Sequence, residues 1–323
     1  MDEAEIIARH FLGLGARRAD VPLGIGDDAA VLRPPPGQEL VCTTDALVEG
    51  THFLPGADPR SLGHRALAIN LSDCAAMGAR PLWATLSLVM PAADDAWLAG
   101  FAAGLGALLR SHEVALVGGN LARGPLSITV QLLGSVAPGM ALRRDAARAG
   151  DLLFVTGTLG DAAAGLAVLQ GRLPAAGNEL LRQRFEFPEA RVALGRALPG
   201  VASAAMDLSD GLAADLPRLL AASGLACTVD VELLPVSVAL RAALGDGAWR
   251  RAAVGGEDYE LLIAAPAAHR AALQAAADAA GTALTAIGTL LAATAQPHDE
   301  PLRWRRRHDL IRLPAASFDH FRG

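Results

Sequence analysis

The period of the hydrophobic pattern changes repeatedly along this chain without settling into a beat, and that limits the folds open to it. Residues 3–14 place Ile6, Ile7, Phe11 and Leu14 on one helical stripe, whereas Leu126-Ser127-Ile128-Thr129-Val130-Gln131 alternates with the two-residue period of a half-buried strand. The same reading predicts strands at 40–44, 83–90 and 126–136, helices at 61–77 and 94–111, and a short apolar run at 114–117 that ends in Gly118-Gly119. Around 138–151, Pro138, Gly139, Arg143, Arg144, Arg148 and Gly150-Asp151 replace the apolar pattern, which predicts a boundary between domains 1–140 and 141–323. Beyond it, strands are expected at 152–156, 203–207, 226–233, 259–265 and 284–290, and helices at 161–170, 188–198 and 211–222, with 174–182 as surface loop and helix start. This is not the regular strand-helix alternation of a doubly wound sheet, so the expected class is α+β: two mixed α/β domains, the second layered.

At 323 residues such a chain removes roughly 75% of its extended surface on folding, so it needs neither disulfides nor a structural metal. Cys42, Cys74 and Cys227 fit that, being far apart, odd in number and without a Cys-x-x-Cys; they read as small apolar residues in a reducing compartment. All 28 basic residues are arginines. The absence of lysine excludes a Walker phosphate loop, the strand lysine of protein kinases and Schiff-base chemistry. A net charge of -6 argues against nucleic acid as a partner, and the run Arg303-Trp304-Arg305-Arg306-Arg307 reads as a solvated face. The N-terminus Met1-Asp2-Glu3-Ala4-Glu5 is acidic, and no uncharged apolar run reaches the roughly 18 residues of a membrane span, so a cytoplasmic location without membrane attachment is expected.

Aspartates carry the strongest chemical signal. Asp27 and Asp28 lie in Gly24-Ile25-Gly26-Asp27-Asp28-Ala29-Ala30-Val31, Asp45 ends Thr43-Thr44-Asp45, Asp73 ends Asn70-Leu71-Ser72-Asp73, and Asp207 and Asp210 share Met206-Asp207-Leu208-Ser209-Asp210-Gly211-Leu212. Any one of them alone reads first as a helix cap or turn residue. Together they form compact acidic loops beside serine and threonine, an oxygen-only chemistry that suits Mg²⁺ carrying phosphate, with no His or Cys at zinc spacing nearby. The turn Thr156-Gly157-Thr158-Leu159-Gly160-Asp161 either cradles phosphate at a helix N-terminus or simply connects two elements.

These strings resemble the thiamine-monophosphate kinase family, together with Val48-Glu49-Gly50-Thr51-His52-Phe53, Gly255-Gly256-Glu257-Asp258-Tyr259-Glu260-Leu261 and the terminal Phe318-Asp319-His320-Phe321, in the family's order from residue 24 to the end. The resemblance implies a superfamily shared with aminoimidazole-ribonucleotide synthetase, selenophosphate synthetase and a hydrogenase maturation factor, all with an ATP site that lacks a Walker loop. It implies a homodimer in which the N-terminal sheet pairs with that of a second subunit into a barrel. The implied reaction is transfer of the ATP γ-phosphoryl group to thiamine monophosphate, the last step of thiamine diphosphate biosynthesis, with several Mg²⁺ ions.

Carried over by motif, Asp28, Thr43, Thr44, Asp45, Asp73, Asn120, Asp207 and Asp210 resemble magnesium ligands, with Asp27 as a neighbour, and Asp28, Asp45, Asp73 and Asp210 stand nearest the chemistry. Gly119, Asn120, Arg144 and Ser209 resemble the nucleotide side, where arginine is the only long cation this chain can offer. His52, Glu257 and Phe318 resemble the thiamine side, because a cationic thiazolium suits a carboxylate and an aromatic face. His52 also reads as a structural histidine and Phe318 as a packing anchor. The chain departs from the family at Gly118-Gly119-Asn120, where the family reads Gly-Gly-Asp. An amide oxygen still coordinates but brings no charge. That departure keeps open a Mg-nucleotide-binding protein without turnover, beside another synthetase-like enzyme of the superfamily. Asn120→Asp is expected to lower the Mg²⁺ concentration needed for half-maximal activity; an unchanged magnesium titration would count against the placing of Asn120.

Overall fold

The computed structural model describes residues 1–293 and 300–313. The chain divides into two compact units, Met1–Cys74 with Ala79–Gly139, and Ala75–Gly78 with the described residues from Met140 onward. Each is built on its own mixed sheet, of four and seven strands, so the fold is mixed α/β.

The first unit opens with helix α1 (Glu3–Ile6), started by a reciprocal Asp2–Glu5 capping box and continued as a π-turn over Ile7–Phe11. The stripe expected over 3–14 is therefore helical only to Phe11. Then come β1 (Glu39–Val48), α2 (Pro59–Ala76), β2 (Arg80–Met90), α3 (Asp95–Ser111), β3 (Ala115–Arg123) and β4 (Ser127–Val136). The sheet order is β1-β4-β2-β3, with β4 antiparallel to β1 and β2, and β2 parallel to β3. β1 and β3 are thus its two edges.

Alternation sorts the faces. Leu47 on β1, Ile128, Val130 and Leu132 on β4, and Leu86 and Leu88 on β2 fall on one buried face, whereas Leu40, Cys42, Thr44, Ala46 and Val48 of β1 are exposed on the other. β3 runs on through Gly118-Gly119-Asn120, past the end of the apolar run at 114–117, because main-chain pairing to β2 holds it where its side chains no longer signal a strand.

Helices α2 and α3 cross at backbone distance. A Cβ on Gly63 would stand 2.1 Å from the Phe101 carbonyl oxygen, and one on Gly104 would stand 2.0 Å from the Arg60 carbonyl oxygen. Small residues are required there, although glycine costs each helix about 1 kcal/mol relative to alanine.

The second unit contains β5 (Leu152–Thr156), α4 (Asp161–Leu169), α5 (Glu179–Glu186), α6 (Val192–Ala197), β6 (Ala204–Leu208), α7 (Leu212–Ser223), β7 (Leu225–Asp230), α8 (Val238–Leu244), α9 (Ala248–Val254), β8 (Glu260–Ala265), α10 (Arg270–Ala279), β9 (Leu284–Ala292), β10 (Leu302–Arg306) and β11 (Asp309–Ile311). Its sheet order is β11-β10-β7-β9-β5-β8-β6, antiparallel throughout except for β10 with β7. Leu153, Met206, Leu208 and Leu262 of the sheet pack with Leu216, Leu219 and Leu220 of α7 in one core.

The arginine run at 303–307 is not simply a solvated face: most of it is β10, Trp304 is buried, and Arg305 pairs outward with Asp230 at 3.3 Å. Alternation along the strand separates the two roles. Gly104→Ala in α3 would gain about 1 kcal/mol of helix propensity and lose about 3 kcal/mol to overpacking against α2. The net expectation is a loss of roughly 2 kcal/mol in urea denaturation.

Candidate functional site

The expected ligands of the first unit fall into two groups, set by the two edges of its sheet. At the β3 edge, Asp27, Asp28, Thr85, Gly119 and Asn120 line a cavity of about 480 Å³, closed on one side by Ile7 and Phe11. Asp27 Oδ1 accepts the Asp28 amide at 2.8 Å, so it serves its own turn, and Asp28 is exposed. Gly119 has φ +153°, and a Cβ there would lie 1.8 Å from the Leu86 carbonyl oxygen. Any side chain would force β3 away from β2, so this wall of the cavity has to be main chain.

At the β1 edge, Thr43 Oγ1 donates to Asp73 Oδ2 of α2 at 2.5 Å. Asp45 shares that face of β1 with Thr43, and Thr44 lies on the other face. Side-chain oxygens of Thr43, Thr44 and Asp45 therefore do not converge on one point within the strand. His52 follows β1, where its Nδ1 accepts the Val48 amide at 3.0 Å and its carbonyl accepts from the buried Arg65 at 3.2 Å.

The two groups stand at the same height in the sheet. Asp45 pairs with Val130, Val130 with Leu86, and Leu86 with Gly119; the next row runs Ala46, Thr129, Ser87, Asn120. The threonine-aspartate run and the glycine-asparagine run are thus in register but three strand spacings apart, about 14 Å. Within one chain this sheet does not gather them into a single nest.

In the second unit the Asp207–Asp210 stretch leaves β6 and turns into α7. Two backbone bonds tie it to the loop before β8: Glu257 N donates to Ser209 O at 2.7 Å and Tyr259 N to Leu208 O at 3.0 Å. Asp207, Ser209, Asp210 and Glu257 are so brought onto neighbouring segments. Glu257 and Tyr259 both hold left-handed backbone, with φ +70° and +51°, and the Tyr259 hydroxyl donates to Glu257 Oε2 at 3.3 Å.

Residues missed in the sequence hold these loops in place. Asp215 Oδ2 accepts the Asp210 and Gly211 amides at 2.9 and 3.0 Å, while Arg218 donates to Asp215 Oδ1 at 2.7 Å and to Asp210 Oδ2 at 2.5 Å. Burial, then the charge of Asp210, pushes the Asp215 carboxyl up to about 6. Asp258 accepts the Gly160 and Ala162 amides at 2.6 and 3.2 Å, and burial pushes its carboxyl well above the ordinary range. Glu260 takes a fork from Arg191 at 2.7 and 2.5 Å and the Thr156 hydroxyl at 2.5 Å. The signal was there for Asp215 and Arg218, which lie i and i+3 on a helix that begins beside the acidic loop.

Asp258 also settles the glycine turn at 156–161. The amides that a phosphate would use at the start of α4 are taken by this carboxylate, and Thr158 Oγ1 donates to Asp161 at 2.6 Å. The turn connects and anchors; it is not a phosphate cradle.

Arg144 is exposed, with its carbonyl accepting from Ser223 at 2.7 Å and no ion pair among the described residues. Phe318 lies outside the described residues. No group of three His, Cys, Asp or Glu among the described residues is arranged to hold a metal unaided. The donor set is oxygen only, which fits Mg²⁺: that ion takes one or two carboxylates and fills its octahedron with water and substrate phosphate.

Residues 26–136 match the family described as AIR synthase related protein, N-terminal domain, and residues 148–296 its C-terminal domain counterpart. The chain is 46% identical over 323 residues to thiamine-monophosphate kinase of Salmonella typhimurium, covering 99% of this chain and 98% of that one. It superposes on the crystal structure of thiamine-monophosphate kinase from Stenotrophomonas maltophilia K279a with a TM-score of 0.84 at 43% identity, covering 95% and 96% of the two chains. AaThiL, solved complexed with AMPPCP and TMP, gives a TM-score of 0.75 at 33% identity over 87% of each chain. No helix among the described residues is long and apolar enough to cross a membrane. With identity this high sustained along both chains, the chain belongs to the thiamine-monophosphate kinase family.

Proposed function

We propose that this chain transfers the γ-phosphoryl group of ATP to the phosphate of thiamine monophosphate, giving thiamine diphosphate and ADP. The observation that carries this reading is the 46% identity spanning 99% of the chain and 98% of the Salmonella kinase; the relative solved with AMPPCP and TMP supports the choice of substrates. We place the reaction in the cytoplasm, with residues 1–140 binding ATP and metal and forming the dimer, and residues 141–323 completing the substrate site.

The acceptor is a phosphate with a second pKa near ~6, so it is largely ionised at neutral pH and needs no general base. His52 suits that scheme. Its Nδ1 accepts a backbone amide and is engaged in the fold, not poised as a base toward a ligand. Repulsion is the obstacle, since two unit charges about 4 Å apart cost ~4 kcal/mol at an effective dielectric near 20. Magnesium held by Asp28, Asp45, Asp73, Asp207 and Asp210, with Thr43, Thr44 and Asn120 as neutral donors, would supply the neutralising charge. The main-chain wall at Gly119, with Arg144 and Ser209, aligns the donor phosphates, and Glu257, His52 and Phe318 hold the thiamine end.

The two open edges of the first sheet support a homodimer. A barrel that sets β1 of one protomer against β3 of its partner closes the 14 Å gap, because the two runs already share a height, and it covers the exposed Leu40 and Val48. Each site then takes Asp73 from one copy and Asp28 from the other.

Purified protein given ATP, Mg²⁺ and thiamine monophosphate is expected to form thiamine diphosphate, and to stop in excess chelator. Nucleotide binding without turnover would overturn the reading in favour of an idle binding protein. Asp73→Asn and Asp28→Asn should each lower kcat about a hundredfold or more. Refolding the two variants together should restore about a quarter of wild-type activity, since half the dimers carry one intact site each. No recovery would rule out the shared site.

A further inference from the structure

One cation in the second unit has no place in the expected ligand set. Arg218 and Asp215 lie three residues apart on α7, and with Asp210 they close a ring: Asp215 Oδ2 holds the Asp210 amide at 2.9 Å, Asp215 Oδ1 holds Arg218 at 2.7 Å, and Arg218 returns to Asp210 Oδ2 at 2.5 Å. Asp210 is thereby fixed both through its backbone and through its side chain. Asp215 is fully buried, whereas the Arg218 side chain is 44% exposed. The guanidinium also lies in the field of Asp207. It cannot lose its charge at any working pH, so it leaves a carboxylate only by displacement.

We propose that Arg218 is a positioning residue that stands in for a divalent cation at Asp210, holding the carboxylate in place before the ion arrives and giving up Oδ2 as the ion binds. The inference rests on Asp210 as a metal ligand. Its consequence is that Arg218 opposes the ion, because a fixed positive charge beside a cation site weakens it, while it orders the loop in the ion's absence.

The test titrates the full-length protein with Mn²⁺ alone, reading free ion by electron paramagnetic resonance, and measures melting temperature with and without the metal. Arg218→Gln is expected to tighten Mn²⁺ binding by about threefold or more, the size of effect for a partly exposed charge pair. Its metal-free melting temperature should fall, and saturating Mn²⁺ should narrow that deficit, leaving the part due to the lost Arg218–Asp215 pair. Arg218→Lys keeps the charge but not the fork, so its Mn²⁺ affinity should stay near wild type while its metal-free melting temperature also falls. Unchanged or weaker binding in Arg218→Gln, equal tightening in Arg218→Lys, or a deficit that Mn²⁺ does not narrow in either variant would overturn the proposal. Asp210→Asn separates this from the reading beneath it. If that variant binds Mn²⁺ as wild type does, Asp210 is no metal ligand and both readings fail; if it binds more weakly while Arg218→Gln does not tighten, only the role of Arg218 fails.

Discussion

Carboxylates repel one another, and this chain holds several in short loops without one lysine to neutralise them. Three substitutes recur. Backbone amides take Asp215 and Asp258, a guanidinium fork takes Glu260, and Arg218 spans Asp210 and Asp215. Each substitute fixes direction as well as charge, because amides in a turn and the two arms of a guanidinium are rigid donors. The loops that bear Asp210 and Glu257 are consequently pinned from behind. Asp258 and Glu260, turned inward, alternate with Glu257 and Tyr259, which each hold left-handed backbone, a conformation that persists only where its surroundings over-determine it.

In the first unit the same need is met by register. A strand presents one side chain per face every two residues, so Thr43-Thr44-Asp45 cannot wrap an ion as a flexible loop would. The sheet instead carries the acidic run on one edge and the glycine-asparagine run on the other, row against row. Edge strands are ordinarily a hazard, with unpaired amides and carbonyls that invite association. Here both edges bear the residues that the proposed chemistry needs, which makes pairing of edges a means of assembling a site.

Much of this is legible in the sequence, and the losses have physical causes. The strands at 83–90, 152–156 and 284–290 and the long helices at 61–77 and 94–111 are found in place because each is an apolar segment of the right length bounded by polar or turn residues; α2 is buried on nearly every side and β5 on both faces, so length and boundaries mark them where a one-face period does not. Helices α8 and α9 give no such signal: each has only seven residues and is positioned by its neighbours, not by its own stripe. β10 is hidden by charge, since four arginines surround the one buried tryptophan that makes it a core strand. The motif aspartates stand out because their spacing is local. Their distribution over two sheet edges does not, because strand order is a property of pairing between distant segments, and no period within β1 or β3 encodes which strand lies between them. Asp258 is masked by the motif that contains it: its neighbour Glu257 carries the resemblance, while Asp258 turns inward and caps α4.

Asn120 and Arg218 act in one direction on the proposed reading. The first removes a negative charge at the β3 edge, and the second adds a positive charge beside Asp210. Both lower the pull of the bare protein on a divalent ion. Magnesium ordinarily keeps most of its water and binds through one or two carboxylates plus the phosphates of a substrate. A site weakened in its own charge leans further on those phosphates, so the ions are held more tightly with the nucleotide than without it. What the fixed donors contribute is then shape more than attraction. The main-chain wall at Gly119 in the first unit and the pinned loop at Asp210 in the second are each set by backbone bonds and each keep their own geometry.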